Sequence, residues 1–214
     1  MQICIMWLTV NPYGSKYYNR MSIKFHINED GCYLYTIDDF ITKEYADELF
    51  KLCQSLDLVT EPKVNTVKGY YFSGQLTESK SPPVFLSDLL DKVNKSFKEV
   101  LEAIKTGLVL NAILVNEYRD GTDYIGSHSD NEKGLNNLLV ACISLGASRK
   151  FRIRRKDESQ INGENFLDIP TKHGQLLVMG GDFQRKFKHE VPPEKKLSDG
   201  HRISLTFRCH FEDK

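Results

Sequence analysis

His128-Ser129-Asp130 sets an imidazole and a carboxylate two residues apart, and a separate His189 stands within Phe187-Lys188-His189-Glu190-Val191. Side chains two apart share one face of a strand, so His128 and Asp130 can converge on one ion while Ser129 points away. A second imidazole from another strand would complete two nitrogens and one oxygen. That set leaves coordination positions open and suits a non-haem Fe(II) centre that admits a co-substrate and O2 beside the metal. An H-x-D pair is too short to carry the reading alone; its company carries it. Arg202, Ser204, Thr206 and Arg208 alternate with Ile203, Leu205 and Phe207, so a strand here has one apolar face and one polar face bearing two guanidiniums. Burying that face is costly unless an anion pairs with it. A dicarboxylate such as 2-oxoglutarate would do so, because a guanidinium grips a carboxylate in a bidentate fork. The two arginines are separated by about 20 Å of strand, so one is expected to hold the far carboxylate and the other to lie nearer the metal or substrate. His26, His173, His201 and His210 are expected to be ordinary solvated or hydrogen-bonded histidines.

The strands that present these groups are legible from Leu108 onward. Short β-rich runs at 109–116, 138–145, 150–155, 175–180, 186–190 and 202–209 are divided by Gly, Asp, Asn and Pro. Two helices precede them. Thr42 is a good N-cap for a helix to about Leu56, with Tyr45, Leu49, Leu52, Cys53 and Leu56 on one face. Ser81-Pro82-Pro83 starts a second, whose apolar residues from Phe85 to Ile104 recur at helical spacing until Gly107. Helices first and many short strands after predict an α+β domain: a double-sheet jelly roll with the N-terminal helices packed on one sheet.

At 214 residues without a break in composition, the chain predicts one domain, residues 33–214, behind an N-terminal extension, residues 1–32. Formal charge is zero, which excludes a global basic field of the kind that drives bulk nucleic-acid binding. Five scattered cysteines without a C-x-x-C pair argue against a disulfide framework and a structural zinc site, and fit a reducing intracellular compartment, nucleus or cytoplasm. Residues 3–10 are too few to span a bilayer and lack a basic leader, so neither a membrane span nor a signal peptide is expected; Met21 offers an alternative start.

Further motifs extend the case. Asn116-Glu117-Tyr118-Arg119-Asp120-Gly121 through His128-Ser129-Asp130-Asn131-Glu132, Ile143 to Phe151, His189-Glu190-Val191-Pro192 and the closing Arg202 to Arg208 run together closely resemble the AlkB family of Fe(II)/2-oxoglutarate dioxygenases, particularly its eukaryotic-type DNA-repair branch. The resemblance spans about residues 33 to 210. It implies a double-stranded β-helix (jelly-roll, cupin-like) core, with His128, Asp130 and His189 as catalytic iron ligands and Fe(II), 2-oxoglutarate and O2 as cofactor and co-substrates. It also implies that Arg202 binds the far carboxylate of 2-oxoglutarate, that Asn116 and Tyr118 hydrogen-bond it, and that Ser204, Thr206 and Arg208 complete the pocket. Tyr70, Tyr71 and Phe72 would form the shelf over a substrate base, and Asn131 and Glu132 would read its exocyclic edge. The implied activity is oxidative demethylation of 1-methyladenine and 3-methylcytosine in DNA, with RNA demethylation or protein hydroxylation as alternatives on the same iron core.

Arg149, Lys150, Arg152, Arg154, Arg155 and Lys156 are expected to face phosphates while Phe151 and Ile153 anchor their strand inward. The expected partner is single-stranded or locally opened DNA, or RNA, because Glu61 to Gly69 is shorter and less basic than the corresponding segment of the repair branch; Asn131, standing where that branch has Asp, is expected to soften base selectivity, and a monomer is expected.

Overall fold

Period-two alternation and helical spacing resolve, in a computed structural model of the chain, into two β-sheets and a helical layer. The residues described are 2–10, 16–29, 31–56, 58–60, 68–73, 81–103, 109–131, 135–197 and 199–210. In chain order they form β1 (Gln2–Val10), β2 (Lys16–Glu29), β3 (Cys32–Ile37), α1 (Lys43–Gln54), β4 (Val59–Thr60), β5 (Lys68–Ser73), α2 (Val84–Ala103) and β6 (Ala112–Tyr118). Then come β7 (Ile125–His128), β8 (Leu135–Gly146), β9 (Lys150–Arg155), β10 (Leu167–Pro170), β11 (Leu176–Gly181), α3 (Phe183–Lys186), β12 (Phe187–Val191) and β13 (Arg202–His210). The major sheet runs β1-β2-β3-β11-β8-β13-β6-β5-β4 and the minor sheet β10-β9-β12-β7, with antiparallel pairing throughout.

The two expected helices form, α1 behind its Thr42 cap and α2 directly after Pro83; the expected stop of α2 at Gly107 lies outside the described residues. The Thr42 hydroxyl accepts from the Tyr45 amide, and Ala46, Leu49 and Cys53 are the buried face of α1. In α2 the buried positions among the described side chains are Leu86, Leu89, Val93 and Phe97, on the spacing that one helix face requires. These side chains meet Ile113, Val115, Ile143, Leu145, Ile203, Leu205 and Phe207 from the major sheet in one apolar cluster. A second cluster lies between the sheets and includes Leu34, Tyr118, Val140, Phe151, Ile153, Leu177, Met179, Phe187 and Val191. The layers are therefore helices, major sheet, minor sheet, and this is the jelly-roll core expected from the element order.

Two expectations are corrected. The boundary at residue 32 moves, because Ile23 to Glu29 of β2 pair with β3 and Ile23 and Ile27 are buried; alternating Ile23, Phe25 and Ile27 provide an apolar face that needs covering. His128 and Asp130 do not share a strand. His128 ends β7 and Asp130 lies beyond it, so strand alternation cannot be what aims the carboxylate.

His26 of β2 bonds through Nε2 to the Thr36 hydroxyl at 2.9 Å. Burial, with Lys24 adding to it and Asp38 opposing, pushes its pKa down to about 4. The folded chain then keeps this imidazole neutral while the unfolded chain takes up a proton as pH falls from about 6.5 to about 4, so its contribution to stability is lost in that window. Urea melts across that range should show stability falling with pH, and His26→Gln should flatten the slope.

Candidate metal centre and anion pocket

Two strands and the loop that follows one of them bring the expected ligands together. His128 and His189 are register partners on β7 and β12, and their rings lie 4.3 Å apart between centroids. The Asp130 carboxylate approaches His128 Nε2 at 3.9 Å and His189 Nε2 at 3.7 Å. Ligand atoms from all three residues lie within 4.8 Å of one another, close enough for one ion to draw them in.

The proton positions suit metal ligation. His128 Nδ1 is 2.8 Å from the Gly126 carbonyl; a carbonyl only accepts, so Nδ1 carries a proton and Nε2 is the nitrogen left to face a metal. His189 is held by packing, stacked on Phe151 with centroids 5.2 Å apart. Burial pushes its pKa down to about 3, the Asp130 charge opposing, so its ring is neutral at physiological pH. Burial raises the Asp130 pKa, but the Arg208 guanidinium, His189 and His128 outweigh it and the net shift is downward. Arg208 bonds directly to Asp130 Oδ1.

The centre opens into a cavity of about 360 Å³. Its polar wall is the inner face of β13, with Arg202, Ser204, Thr206 and Arg208 joined by Asn116 and Tyr118 of β6. All four β13 residues are buried, and Ile203, Leu205 and Phe207 belong to the helix-side cluster, as the alternation predicts. The arginines divide their work as their separation requires, Arg208 at the metal end and Arg202 further along. Arg202 is 1 % exposed, donates from Nη2 to the Ser144 hydroxyl at 2.9 Å, and lies over the Tyr118 ring at 4.9 Å. Its Nε and Nη1 have no hydrogen-bond partner among the described residues. Buried guanidinium donors aimed into a cavity call for an anion. Together with two imidazoles and a carboxylate, they fit Fe(II) and a dicarboxylate co-substrate.

The nucleic-acid strip is corrected in part. Arg149 does not face out: its side chain is fully buried and donates to the carbonyls of Asp120, Gly121, Asp123 and Pro192 and to the Glu194 carboxylate. It shares the inward parity of Phe151 and Ile153 and staples the loop before β7 to the loop after β12. At Gly121 any Cβ would run into the main chain of Glu194 and Leu197, so only glycine permits this approach. Arg152 is half-buried and engaged by Asp168 through two bonds of 2.6 and 2.8 Å, while Arg154 lies 3.5 Å from Glu190. Arg155 pairs with Glu29. Lys150 and Lys156 are exposed, and Asn131 is exposed beside the metal ligands. Glu132 and the side chains of Tyr70, Tyr71 and Phe72 lie outside the described residues; the backbone of those three pairs with Val115, Leu114 and Ile113. His26, His173 and His201 have ordinary partners in Thr36, the Gly146 amide and Glu117.

Comparison with known proteins agrees with the geometry. Residues 62–208 match the model of the 2OG-Fe(II) oxygenase superfamily. The chain is 34 % identical over 142 residues to alpha-ketoglutarate-dependent dioxygenase alkB homolog 3 of Homo sapiens, covering 61 % of this chain and 49 % of that protein. It is 39 % identical over 113 residues to the Rattus norvegicus protein of the same name, 50 % of this chain and 38 % of that one. With the Homo sapiens DNA oxidative demethylase ALKBH2 it shares 35 % over 143 residues, 65 % and 51 % of the two chains. The chain thus spans about half the length, or less, of these relatives. Among solved structures, OsALKBH1 superposes with a TM-score of 0.62 at 18 % identity, covering 87 % of this chain and 100 % of that one. A Pseudomonas putida prolyl-4-hydroxylase superposes with a TM-score of 0.62 at 14 % identity, covering 83 % and 91 %; both likenesses concern the fold.

Arg202→Met should weaken 2-oxoglutarate binding more than a hundredfold in calorimetric titration of the Mn(II)-loaded chain, since breaking a buried charge pair costs about 3–5 kcal/mol. Arg149→Met should instead lower unfolding free energy by about 3 kcal/mol or more in urea melts, because five acceptors lose their shared donor.

Proposed function

The chain belongs to the 2OG-Fe(II) oxygenase superfamily, among the AlkB homologues, and on that premise we propose that it is a nucleic-acid demethylase. It oxidises N-methyl groups on bases, with 1-methyladenine and 3-methylcytosine in DNA as substrates and formaldehyde as the released product. The observation that carries this reading is one cavity lined by His128, Asp130 and His189 at one end and by Arg202, with donors unanswered, along its wall. The names of the relatives bring DNA into it.

Bound Fe(II), with 2-oxoglutarate and O2, supplies the oxidising equivalents that hydroxylate the N-methyl carbon. His128 and His189 would offer Nε2 and Asp130 a carboxylate oxygen, from two segments, 128–130 and β12, that meet only in the folded chain. Arg202 would fork onto the far carboxylate of 2-oxoglutarate, with Tyr118, Asn116, Ser204 and Thr206 around the rest of the molecule. Burial keeps the Tyr118 hydroxyl protonated, Arg202 opposing, so it can donate to that ligand. Leu114, Phe151, Met179 and Val191 line the cavity with apolar surface and limit water at the reacting carbon. The hydroxymethyl product needs no further catalytic group. Its C–N bond breaks as the hydroxyl loses its proton, the nitrogen keeps the electron pair, and formaldehyde leaves.

A methylated base must leave its stack to reach such a cavity, which costs least in single-stranded or weakly paired nucleic acid. Arg154, half-exposed, and the exposed Lys188, Lys195 and Lys196 are the cations that would meet phosphates in this reading. Their small number implies a shallow salt dependence.

The iron-loaded chain, given 2-oxoglutarate and single- or double-stranded oligonucleotides bearing either lesion as DNA and as RNA, should remove the methyl from DNA, best when single-stranded, as followed by mass. His128→Ala and Asp130→Ala should abolish succinate formation. Methyl loss from RNA alone would reassign the substrate, and succinate formation with peptide but no oligonucleotide would point to protein hydroxylation.

A further inference from the structure

We infer that Gln184 is a positioning residue of the metal centre, acting through Asp130, which it holds by two hydrogen bonds running in opposite directions. This rests on the metal-ligand reading of His128, Asp130 and His189. Asp130 lies past the end of β7, so no strand ladder receives its main-chain N–H and none fixes its side chain. It is nevertheless buried, at 2 % exposure. A buried amide N–H without an acceptor costs about as much as a lost hydrogen bond, and the Gln184 side chain removes that cost.

The Asp130 amide donates to Gln184 Oε1 at 3.0 Å, and Gln184 Nε2 donates back to Asp130 Oδ2 at 3.4 Å. The first bond fixes the sense of the side chain, because a main-chain N–H can only donate and the atom facing it must be oxygen. The amino group is thereby committed to the carboxylate. Arg208 holds the other oxygen, Oδ1, so the carboxylate is gripped from two sides and its plane is set. Neither partner substitutes for the other, since Arg208 has no acceptor to offer the Asp130 N–H.

Gln184 is itself well anchored. It is 2 % exposed on α3, its Nε2 also contacts Met179 Sδ at 3.4 Å, and its main-chain carbonyl accepts from Lys156 Nζ at 2.8 Å. α3 leads directly into β12, so the residue that orients Asp130 sits on the segment that delivers His189. One amide thus registers two ligand-bearing segments that are far apart in sequence. A glutamate would keep the acceptor but set a second negative charge against Asp130, and an aliphatic side chain would keep neither bond.

The test compares metal binding by the full-length parent chain and Gln184→Met, a variant of similar length without the amide. Mn(II) affinity of the metal-free proteins is read by electron paramagnetic resonance, and the Co(II)-loaded forms are read by visible absorption. Partners of metal ligands typically contribute 10- to 100-fold in affinity, so Gln184→Met should bind Mn(II) about 10- to 100-fold more weakly and show an altered Co(II) spectrum, while circular dichroism stays parental. Mn(II) affinity within twofold of the parent with an unchanged Co(II) spectrum overturns the inference. Should Gln184→Met fail to fold, Gln184→Glu decides it: an altered Co(II) spectrum supports the role, and a parental one overturns it. A parent chain that binds neither ion would overturn the metal reading itself, whereas parental binding by the variant removes only Gln184.

Discussion

Two guanidiniums lie buried on the inner face of β13, and each needs negative charge beside it if the strand is to stay at the centre of the sheet. Arg208 finds it within the chain, in Asp130. Among the described residues Arg202 finds the neutral Ser144 hydroxyl and the Tyr118 ring, and no carboxylate. That asymmetry organises the site: one arginine holds the carboxylate beside the two histidines, and the other faces the cavity without an anion from the described residues. The apolar clusters on either side of the major sheet, the pairing of β13 between β8 and β6, and the closure of the minor sheet over the cavity all keep those two charges where water cannot answer them.

Much of this was legible in the residues, and the reason is periodicity. α1 and α2 carry their buried positions at helical spacing, and β13 alternates so regularly that its division into a core face and a cavity face could be assigned residue by residue. Charge can mask the same periodic signal. Arg149 stands among charged neighbours in the sequence yet has the parity of Phe151 and Ile153, and the structure puts it inside. Ile23, Phe25 and Ile27 carry the same two-residue signal and were assigned to an extension, whereas β2 adds to the sheet. Other features left no periodic trace. Asp130 is aimed by side chains from α3 and β13 rather than by its own strand, and Gln184, in a four-residue helix, has no pattern that marks it.

The basic stretch from Arg149 to Lys156 shows how a neutral chain uses its charges. Arg149 is consumed by carbonyls and Glu194, Arg152 by Asp168, Arg155 by Glu29, and Arg154 lies near Glu190. A run of cations in sequence thus becomes a set of cross-strand pairs in space. Such pairs at a partly exposed surface contribute little stability each, yet they cancel the long-range field that the run suggests. The cations left exposed are then scattered lysines such as Lys150, Lys156 and Lys188 rather than a broad basic face.

The two-faced character of β13 also bears on how damage travels. Leu205 and Phe207 press on the helices from one side while Ser204, Thr206 and Arg208 form the cavity wall from the other, and a closely packed interior transmits a displacement instead of absorbing it. An apparently remote lesion in the oily layer, or a loosening of α2, would therefore be felt as poorer occupancy by the keto acid. In the opposite direction, a seated dianion would act as a splint for the whole nine-stranded sheet.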